Sequence, residues 1–333
     1  MANNAKVIIA VDAMGGDLAP QAAVLGAVAA SHDNAIDKIL LVGAKDSIAP
    51  ILHGQKYDGS KIEIIHASEV IGNDEAPTNA IRQKKDSSVV VGLNLVKSGD
   101  AAAFVSAGAT GAVLAGATVI VGRIKGVQRP ALASVFPSAK GYTFIIDIGA
   151  NVDSRPEFLV QFAQMGAVYM EEIMGIKNPK VGLINNGAEA EKGNALCKEA
   201  YPLLMESNVN FIGNVEARDV PLGAVDVAVC DGFVGNVILK YSEGFAKGIM
   251  GMLKEELMGS AISKMGALLS KGAYANLRKR FDYTEVGGAP FIGLNGLVVK
   301  AHGSSNEKAI MNAIKQCSKF IQADITTKIQ NKI

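Results

Sequence analysis

The chain has little cysteine, with three residues among 333. Cys197, Cys230 and Cys317 are widely separated and form neither a CxxC pair nor a zinc-binding pattern with histidine. This spacing argues against a disulfide framework and a structural zinc site, and it is typical of small buried side chains in a reducing compartment. No other group of side chains has metal-ligand spacing, so we expect neither a metal nor a cofactor.

Long apolar runs and an excess of charge of one sign are also missing. The apolar run near the N-terminus, Val7–Val11, is too short for a signal peptide, and the most apolar window, Ala112–Val121, is about half as long as a membrane span. The formal net charge of +1 gives no global indication of nucleic-acid binding. We therefore expect a cytoplasmic protein that does not cross a membrane, with peripheral contact at a membrane surface left open.

The familiar catalytic motifs are absent as well. The sequence has no GxGxxG loop, no P-loop lysine, no GxSxG elbow and no HExxH helix, and no cysteine stands in a recognisable nucleophile setting. These absences argue against the common nucleotide sites, serine hydrolases and zinc proteases. An enzyme without a protein nucleophile needs a substrate that itself attacks.

Apolar strands that alternate with helical stretches dominate what is present. Apolar residues make up 49% and charged residues 20% of the chain, as in globular proteins. The predicted strands are Lys6–Val11, Lys38–Val42, Lys61–Ile65, Ala102–Val105, Phe144–Ile148, Val181–Ile184, Val225–Val229 and Gly296–Lys300. The predicted helices include Ala19–His32, Asp86–Lys97 and Thr110–Ile124. Near-continuous apolar strands imply burial on both faces, so we predict a doubly wound α/β protein with a mostly parallel sheet, as a single domain over residues 1–333.

One region, Leu257–Phe281, departs from this alternation because it contains no acidic residue. Four of its apolar residues have helical spacing, namely Ile262, Met265, Leu268 and Leu269. Its basic residues are Lys264, Lys271, Arg278, Lys279 and Arg280. We predict a helical excursion over about residues 240–285 with one apolar and one basic face. Such a stripe fits packing or dimer contact, and it also fits a docking surface for an acidic partner or an anionic membrane.

Glycine-rich loops follow several predicted strands, at the edge where open α/β sheets bind ligands. The loop after the first strand carries Asp12, Gly15, Gly16 and Asp17. Its glycines let backbone N–H groups approach an anion, and the helix that follows adds a favourable dipole. The loop after Ala102–Val105 repeats the arrangement with four residues, Ser106, Gly108, Thr110 and Gly111. Each loop alone fits a tight turn or a helix cap as well as an anion site, and their recurrence favours the ligand site.

Polar side chains follow the later strands too. They are Asn151 and Asp153, Asn185 and Asn186 with Lys192 nearby, Asp231 and Asn236, and His302, Gly303, Ser304 and Ser305. His302 lies in a polar loop beside glycine, so it fits a phosphate donor or a general acid/base as well as a structural role. Anion-cradling loops without a protein nucleophile suit a reaction in which inorganic phosphate attacks, because phosphate is already ionised at neutral pH and needs only holding and aiming.

Seven segments, in this order along nearly the whole chain, closely resemble the phosphate acyltransferase (PlsX) family of bacterial phospholipid synthesis. They are VDAMGGDLAP (11–20), RQKKDSS (82–88), SAGATGA (106–112), IDIGANVD (146–153), NNGAEAEKGN (185–194), CDGFVGN (230–236) and APFIGLNGLVVKAHGSSN (289–306). The resemblance implies a homodimer with a Rossmann-like α/β/α fold related to phosphotransacetylases. It also implies transfer of a long-chain fatty acyl group from acyl-acyl carrier protein to inorganic phosphate. The acyl phosphate formed would feed the membrane glycerol-3-phosphate acyltransferase in phosphatidic acid synthesis.

The chain departs from the family pattern at two positions. Ala109 stands where the family usually has asparagine, which removes one amide donor from that loop. Leu18 stands where histidine or asparagine is common, so it receives no role. The expected mechanism remains direct attack of phosphate on the thioester carbonyl, with the tetrahedral oxyanion stabilised by backbone N–H groups and polar side chains.

Site roles follow from this mechanism. Lys192 and His302 are the candidate catalytic residues, because each could neutralise charge on phosphate or in the transition state. The candidate phosphate-binding residues are Asp12, Gly15, Gly16, Asp17, Ser106, Gly108, Thr110, Gly111, Gly303, Ser304 and Ser305. The residues expected to order the substrate pocket are Asn151, Asp153, Asn185, Asn186, Asp231 and Asn236. The basic residues of the excursion are candidates for docking the acidic carrier protein, because complementary charge steers encounter.

Three other functions remain open on the residues alone. The first is a short-chain phosphotransacetylase that uses acyl-coenzyme A. The second is a nicotinamide-dependent dehydrogenase on a related fold, which the missing GxGxxG loop disfavours. The third is a non-enzymatic membrane scaffold that positions other lipid enzymes.

Overall fold

The structure is a computed structural model that describes residues 6–333, without the side chains of Arg278, Phe281, Tyr283 and Val286. The strands of this part of the chain are β1 (Ile8–Asp12), β2 (Lys38–Gly43), β3 (Ile62–His66), β4 (Ala103–Ser106), β5 (Ala131–Ser138), β6 (Gly141–Ile146), β7 (Val181–Asn185), β8 (Phe211–Glu216), β9 (Val227–Val229), β10 (Gly288–Ile292) and β11 (Leu297–Ala301).

Helices occupy most of the intervals between the strands. They are α1 (Gln21–Ser31), α2 (Lys45–His53), α3 (Pro77–Gln83), α4 (Ser88–Ser98), α5 (Thr110–Gly116), α6 (Pro156–Glu172), α7 (Ala195–Glu206), α8 (Gly232–Met258), α9 (Ala261–Leu269), α10 (Lys271–Phe281), α11 (Tyr283–Val286), α12 (Glu307–Gln322) and α13 (Ile325–Gln330). A π-helical turn, Ala117–Val121, extends α5, and a 3-10 turn, Ala217–Leu222, follows β8.

The strands form one sheet in the order β3-β2-β1-β4-β11-β10-β5-β6-β9-β7-β8. The strands from β3 to β11 are parallel, and so are those from β6 to β8. Between these two parallel halves, β10 and β5 pair antiparallel with each other and with their outer neighbours. The mostly parallel sheet confirms the predicted fold class.

Both faces of the sheet are buried, which explains the continuous apolar strands. Ile9 and Val11 of β1 belong to one core cluster, whereas Ala10 between them belongs to the other. The first cluster includes side chains of α1, α2, α6, α7, α12 and α13. The second includes side chains of α3, α4 and α5. Helices therefore cover both sides of the sheet, as in the predicted three-layer α/β/α arrangement.

The chain reverses its direction of travel across the sheet at two places. From β1 the chain builds outward through β2 and β3, and β4 then pairs on the other side of β1. In the second half, β8 pairs on one side of β7 and β9 on the other. Open α/β sheets bind ligands outside the carboxyl ends of strands at such switch points. The fold therefore offers two loop clusters, one at β1 and β4 and one at β7 and β9.

The predicted helical excursion is present and begins earlier than expected. α8 runs for 27 residues, about 40 Å at the usual helical rise, and only Gly232 and Gly235 in its first turn are buried. α9 and α10 continue the excursion. Within the described part of the chain, no helix combines the length and apolarity that crossing a membrane requires.

Candidate active site

Three polar side chains stand side by side where the parallel strands β1, β4 and β11 end. Val11 is in register with Val105, so Asp12 and Ser106 follow together at the strand ends. On the other side of β4, Lys300 is in register with Ser106. All three residues are buried, at 2%, 1% and 8% exposure. A carboxylate, a hydroxyl and an ammonium group therefore form a row, called here the polar row, beneath the loops of the first switch point.

Hydrogen bonds tie this row to the loop above it. The Ser106 hydroxyl donates to Asp12 Oδ2 (2.7 Å) and accepts from the Gly108 N–H (3.0 Å). The other carboxylate oxygen of Asp12 accepts from the Met14 N–H (3.0 Å). The Gly108 N–H is thus held inside the loop, so the contribution of Gly108 to a ligand site is the backbone shape it allows.

The loops that follow β1, β4 and β11 pack so closely that Gly15 and Gly16 have no room for a side chain. A Cβ on Gly15 would lie 2.4 Å from Asp12 Oδ2 and 2.6 Å from the Gly108 nitrogen. Gly16 has a φ of +98°, and its Cβ would lie 3.0 Å from the Gly303 carbonyl oxygen. The Asp17 N–H donates to that same carbonyl (2.8 Å). Both predicted glycines are therefore required by close backbone approach.

Lys300 connects the loop after β4 to the end of β11. Its ammonium donates to the carbonyl oxygen of Ala107 (3.2 Å) and to that of Ala301. Burial lowers the pKa of Lys300 from 10.5 to about 8, whereas the nearby charge of Asp12 acts to raise it. A lysine held this way inside a row of polar groups is a feature of functional sites, because burying a charge costs free energy.

His302 lies in the loop after β11 with polar partners on both ring nitrogens. Nδ1 shares a hydrogen bond with the Ser304 hydroxyl (2.8 Å), and Nε2 lies 3.4 Å from Nζ of Lys240. Glu243 forms an ion pair with the same Lys240 (3.1 Å). Burial, and then the charge of Lys240, lowers the pKa of His302 below 6.5. The imidazole is therefore neutral at pH 7, so the cation in this position is Lys240.

Ser305 is the most enclosed of the predicted loop hydroxyls. The residue is 3% exposed, and among the described residues its Oγ has no hydrogen-bond partner. Its backbone N–H is bonded to the His302 carbonyl (3.0 Å). A buried hydroxyl with spare donor capacity calls for a partner, and a bound anion would supply one.

The second cluster is organised around Asp147, at the end of β6. Its carboxylate accepts from the N–H groups of Leu132 (3.1 Å), Gly149 (3.0 Å), Ala150 (2.9 Å) and Asn151 (2.7 Å). The side-chain amide of Asn151 donates to the same carboxylate (2.9 Å). Burial raises the pKa of Asp147, and these bonds act against that rise. Asp147 therefore shapes the loop.

The start of α8 is packed against this loop. Asp231 caps the helix by accepting from the Val234 N–H (2.9 Å), and the Gly232 N–H donates to the Asn151 carbonyl (2.7 Å). A Cβ on Gly235 would lie only 1.8 Å from the Asp147 carbonyl oxygen. The structure thus brings the predicted residues Asn151 and Asp231 together.

One face of α8 connects the two clusters. Asn236 lies against the Asp147 loop, 3.7 Å from the position of a Cβ on Gly149. Lys240, four residues later, lies against His302 in the β11 loop. Residues four apart are neighbours on a helix, with Cβ atoms about 5–6 Å apart. Neighbouring positions of α8 therefore contact the Asp147 loop and the β11 loop.

The remaining predicted residues lie at the margins of these clusters. The Asn185 side chain donates to the Lys192 carbonyl (3.1 Å), which folds the β7 loop on itself and leaves Asn186 and Lys192 exposed. No hydrogen bond or ion pair among the described residues joins Lys192 to the loops of the polar row. Thr110 and Gly111 open α5, and Asp153 is exposed beyond Asn151.

The two departures from the family pattern lie beside the first cluster. Ala109 precedes the first residue of α5, where no side chain caps the helix. Leu18 is 50% exposed and lines a shallow cavity of about 310 Å³ together with Ala19, Gln21 and Asn306.

The basic residues of the excursion are on the surface. Lys264, Lys271 and Lys279 are exposed, and Arg280 donates to the carbonyl of Ser138 (3.3 Å). The side chain of Arg278 lies outside the described part of the structure. Ile262 and Leu269 on α9 are exposed at 86% and 84%. An exposed apolar stripe also runs along α8 through Phe233, Val237, Tyr241, Phe245, Ile249 and Met252.

Sequence reasoning missed two cations of the site. Lys300 was placed in a strand without a role, although a lysine inside the apolar run LVVKA, directly before a polar loop, is an unusual choice. Lys240 gave no local signal, because it stands in an amphipathic helix among other lysines. Only the fold brings it to His302.

The sheet and its two switch points define a class, the doubly wound α/β proteins with the architecture of phosphotransacetylases. A phosphotransacetylase from Streptococcus pyogenes has a similar fold, with a TM-score of 0.64 over 96% of this chain and 95% of that one at 17% identity. The chain belongs to the phosphate acyltransferase (PlsX) family, since the family model described as "Fatty acid synthesis protein" matches residues 7–328. It is thus an acyltransferase.

Two curated relatives illustrate the similarity. The "Phosphate acyltransferase" of Clostridium botulinum (strain Loch Maree / Type A3) is 51% identical over 327 residues, which cover 98% of each chain. The "Phosphate acyltransferase" of Clostridium acetobutylicum is 50% identical over 327 residues, which cover 98% of this chain and 99% of that one.

Proposed function

We propose that the protein transfers a long-chain acyl group from acyl-acyl carrier protein to inorganic phosphate, and that the acyl phosphate formed serves phosphatidic acid synthesis. The convergence of the β1, β4 and β11 loops over the polar row is the observation that carries the proposal. Glycines at closest approach, a buried Ser305 hydroxyl for which the described residues provide no partner, and the ammonium of Lys300 suit a small oxyanion.

The reaction needs only one covalent exchange. A phosphate oxygen attacks the thioester carbonyl carbon, and a C–O bond forms. The tetrahedral oxyanion then collapses, the C–S bond breaks and the thiolate of the carrier leaves. Because a thiolate is a good leaving group, the protein must mainly hold phosphate in line and stabilise the oxyanion with N–H and O–H donors. Lys240 and Lys192 are the candidate cations for that charge, with neutral His302 as a hydrogen-bonding partner of Ser304.

Cysteine chemistry supports direct attack over an acyl-enzyme intermediate. Burial raises the pKa of the thiols of Cys230 and Cys317, which are both fully enclosed. Burial, and then the charge of Asp231, also raises the pKa of Cys197 beside the second cluster. Thiolate is the nucleophilic form of cysteine, so none of the three is prepared for acyl transfer.

The surface of the excursion supports a macromolecular donor. Exposed lysines on α9 and α10 would attract an acidic carrier protein, and the apolar stripe of α8 and α9 offers area for a second copy of the chain or for a membrane surface. We include a homodimer, with cytoplasmic location and peripheral membrane contact near the glycerol-3-phosphate acyltransferase, in the proposal.

A comparison of donors tests the proposal. The purified chain is incubated with phosphate and either long-chain acyl-carrier protein or short-chain acyl-coenzyme A, and acyl phosphate is quantified. We expect kcat/KM to be far higher with the carrier protein. A preference for the coenzyme A thioester would establish the short-chain phosphotransacetylase reading instead, and no acyl phosphate from either donor would favour a scaffold.

A further inference from the structure

The buried lysine of β11 has a location that simple packing does not explain. Lys300 occupies an interior strand of the sheet, between β4 and β10, where an apolar side chain would ordinarily stand. Its aliphatic neighbours along the strand, Val298 and Val299, are 1% and 0% exposed. Burying an ammonium group costs free energy that an apolar side chain at the same position would not incur, so packing alone gives no reason for a lysine here.

The hydrogen bonds of the ammonium go to one loop of the first cluster and to the end of its own strand. It donates to Ala107, in the loop after β4, and to Ala301, at the end of β11. Ala107 is also the residue on which Gly16 of the β1 loop packs, since a Cβ on Gly16 would lie 2.9 Å from the Ala107 Cβ. A single charged group therefore fixes the place where all three loops meet.

The charges around Lys300 come from three parts of the fold. Asp12 at the end of β1 and Asp17 in the following loop are negative, and Lys240 of α8 is positive. His302, in the loop that follows β11, is neutral at pH 7 because burial and Lys240 lower its pKa. Without Lys300, the buried carboxylate of Asp12 and the exposed carboxylate of Asp17 would both repel an anion that enters between the loops.

We propose that Lys300 is a positioning residue of the phosphate pocket, which holds the β4 loop against the end of β11 and offsets the charges of Asp12 and Asp17 so that a phosphate dianion can enter. The inference rests on the proposed function, because it takes inorganic phosphate as the ligand. It predicts that phosphate affinity depends on the protonation of Lys300. The pKa of Lys300 in the protein without phosphate is about 8, so the affinity for phosphate should fall as the pH rises above that value.

Calorimetric titration of the whole protein with inorganic phosphate tests this without relying on catalysis. Between about pH 7 and about pH 9.5, the wild-type Kd, calculated for the phosphate dianion at each pH, should rise by about tenfold, as a binding-linked ammonium is lost. Lys300→Met should bind about tenfold or more weakly at pH 7, with no rise above pH 8. Lys97→Met removes the same charge at the exposed end of α4 and should keep both the wild-type affinity and its pH profile.

Kinetic constants separate positioning from general damage. Lys300→Met should raise KM for phosphate while leaving KM for the acyl donor unchanged. Should Lys300→Met fail to fold, Lys300→Arg provides the second variant, since its guanidinium stays charged and should flatten the profile above pH 8. A wild-type Kd that is flat from pH 7 to pH 9.5, or equal phosphate affinity in Lys300→Met, overturns the inference. Phosphate binding with the predicted pH profile but no acyl phosphate would instead overturn the proposed function alone.

Discussion

At the scale of single residues, a short hydrogen-bonded chain holds the first cluster together. Ser106 stands between Asp12 and the Gly108 N–H, and it is 1% exposed. Its hydroxyl gives the buried carboxylate a donor and gives the loop an acceptor. Removing it takes one donor from the buried Asp12 carboxylate and, among the described residues, the only side-chain acceptor of the part-buried Gly108 N–H, which costs more than one ordinary hydrogen bond.

Ser106→Ala should therefore lower the free energy of unfolding by about 1–3 kcal/mol, as measured by urea denaturation, and raise KM for phosphate. Ser318→Ala is the matched control. Ser318 lies on α12, away from the loops of the first cluster, and is also buried, at 3% exposure. Its hydroxyl donates to the Ala35 carbonyl (3.3 Å). The control should lose stability with no change in KM. Equal KM values for the two variants would remove Ser106 from the phosphate site.

The neutral state of His302 has a consequence for stability at low pH. Its pKa in the folded protein lies below the unfolded value of 6.5, so the unfolded chain binds more protons as the pH falls through that window. Lys240, Glu243, Lys300 and Asp17 are the charged groups around it. The folded protein is therefore penalised below about pH 6.5 and free of the penalty above it.

His302→Asn should consequently lose less stability than the wild type between about pH 7 and about pH 5 in thermal denaturation. His53→Asn, at the exposed end of α2, should follow the wild type. If His302→Asn shows the wild-type slope instead, folding does not lower the pKa of His302. A steeper loss in the variant would mean that the imidazole gains a proton on folding and could itself neutralise phosphate.

Individual site residues differ in how far the sequence could predict them. Gly15 and Gly16 were predicted as loop glycines, and the structure supplies the reason, since their missing Cβ atoms would meet other backbone. Asp12 and Ser106 were predicted as neighbours of phosphate, and the structure shows a hydrogen bond between them. The pairing of Lys240 with His302 crosses 62 positions of sequence, so only tertiary structure reveals it.

At the scale of elements, α8 is the helix that contacts loops of both halves of the sheet. Its N-terminal turn packs against the Asp147 loop. Asn236 and Lys240 then contact the Asp147 loop and His302, respectively. No residue of α8 after Gly235 is buried. The close packing at Gly235 fixes the direction in which the helix leaves the sheet.

Gly235→Ala should therefore destabilise the protein by about 3 kcal/mol and lower kcat, because the new methyl group overlaps the Asp147 carbonyl and turns α8 away from His302. Gly251→Ala lies in the same helix with no atom within 4 Å of the new Cβ. It should stabilise the helix by about 0.5–1 kcal/mol and keep activity. Urea denaturation and steady-state kinetics measure both. An active, stable Gly235→Ala protein would contradict the assigned path of α8.

The buried strands of the two parallel halves were predictable from the sequence, whereas the antiparallel strands and the edge strand β8 were not. β1, β2, β4 and β7 are continuous apolar runs and lie close to their predicted bounds. β5 and β10 are antiparallel and contain Pro137 and Pro290, so they lack the same signal. β8 pairs only with β7, at the edge of the sheet, and its burial alternates. Composition and periodicity report burial, whereas the insertion of two antiparallel strands depends on tertiary pairing.

At the scale of the whole molecule, the excursion is the surface on which a large donor would dock. Three of its lysines, Lys264, Lys271 and Lys279, are exposed and lie in a stretch without acidic residues. Complementary charge mainly accelerates encounter, and its effect is screened by salt.

Reversing these three lysines to glutamate should raise KM for acyl-carrier protein by about tenfold at low salt, with kcat and KM for phosphate unchanged. The control reverses three exposed lysines elsewhere, Lys45, Lys56 and Lys97. Unchanged KM values together with lost binding to anionic vesicles would assign the surface to a membrane.

In the proposed reaction, inorganic phosphate bound in the pocket of the polar row is the nucleophile. The direct measurement follows thiol release from long-chain acyl-carrier protein by the purified chain, with and without inorganic phosphate, together with the mass of the acyl product. We expect thiol release only when phosphate is present, acyl phosphate in equal amount to the thiol, and no acyl group on the protein. Thiol release without phosphate, or a covalent acyl-enzyme, would contradict it.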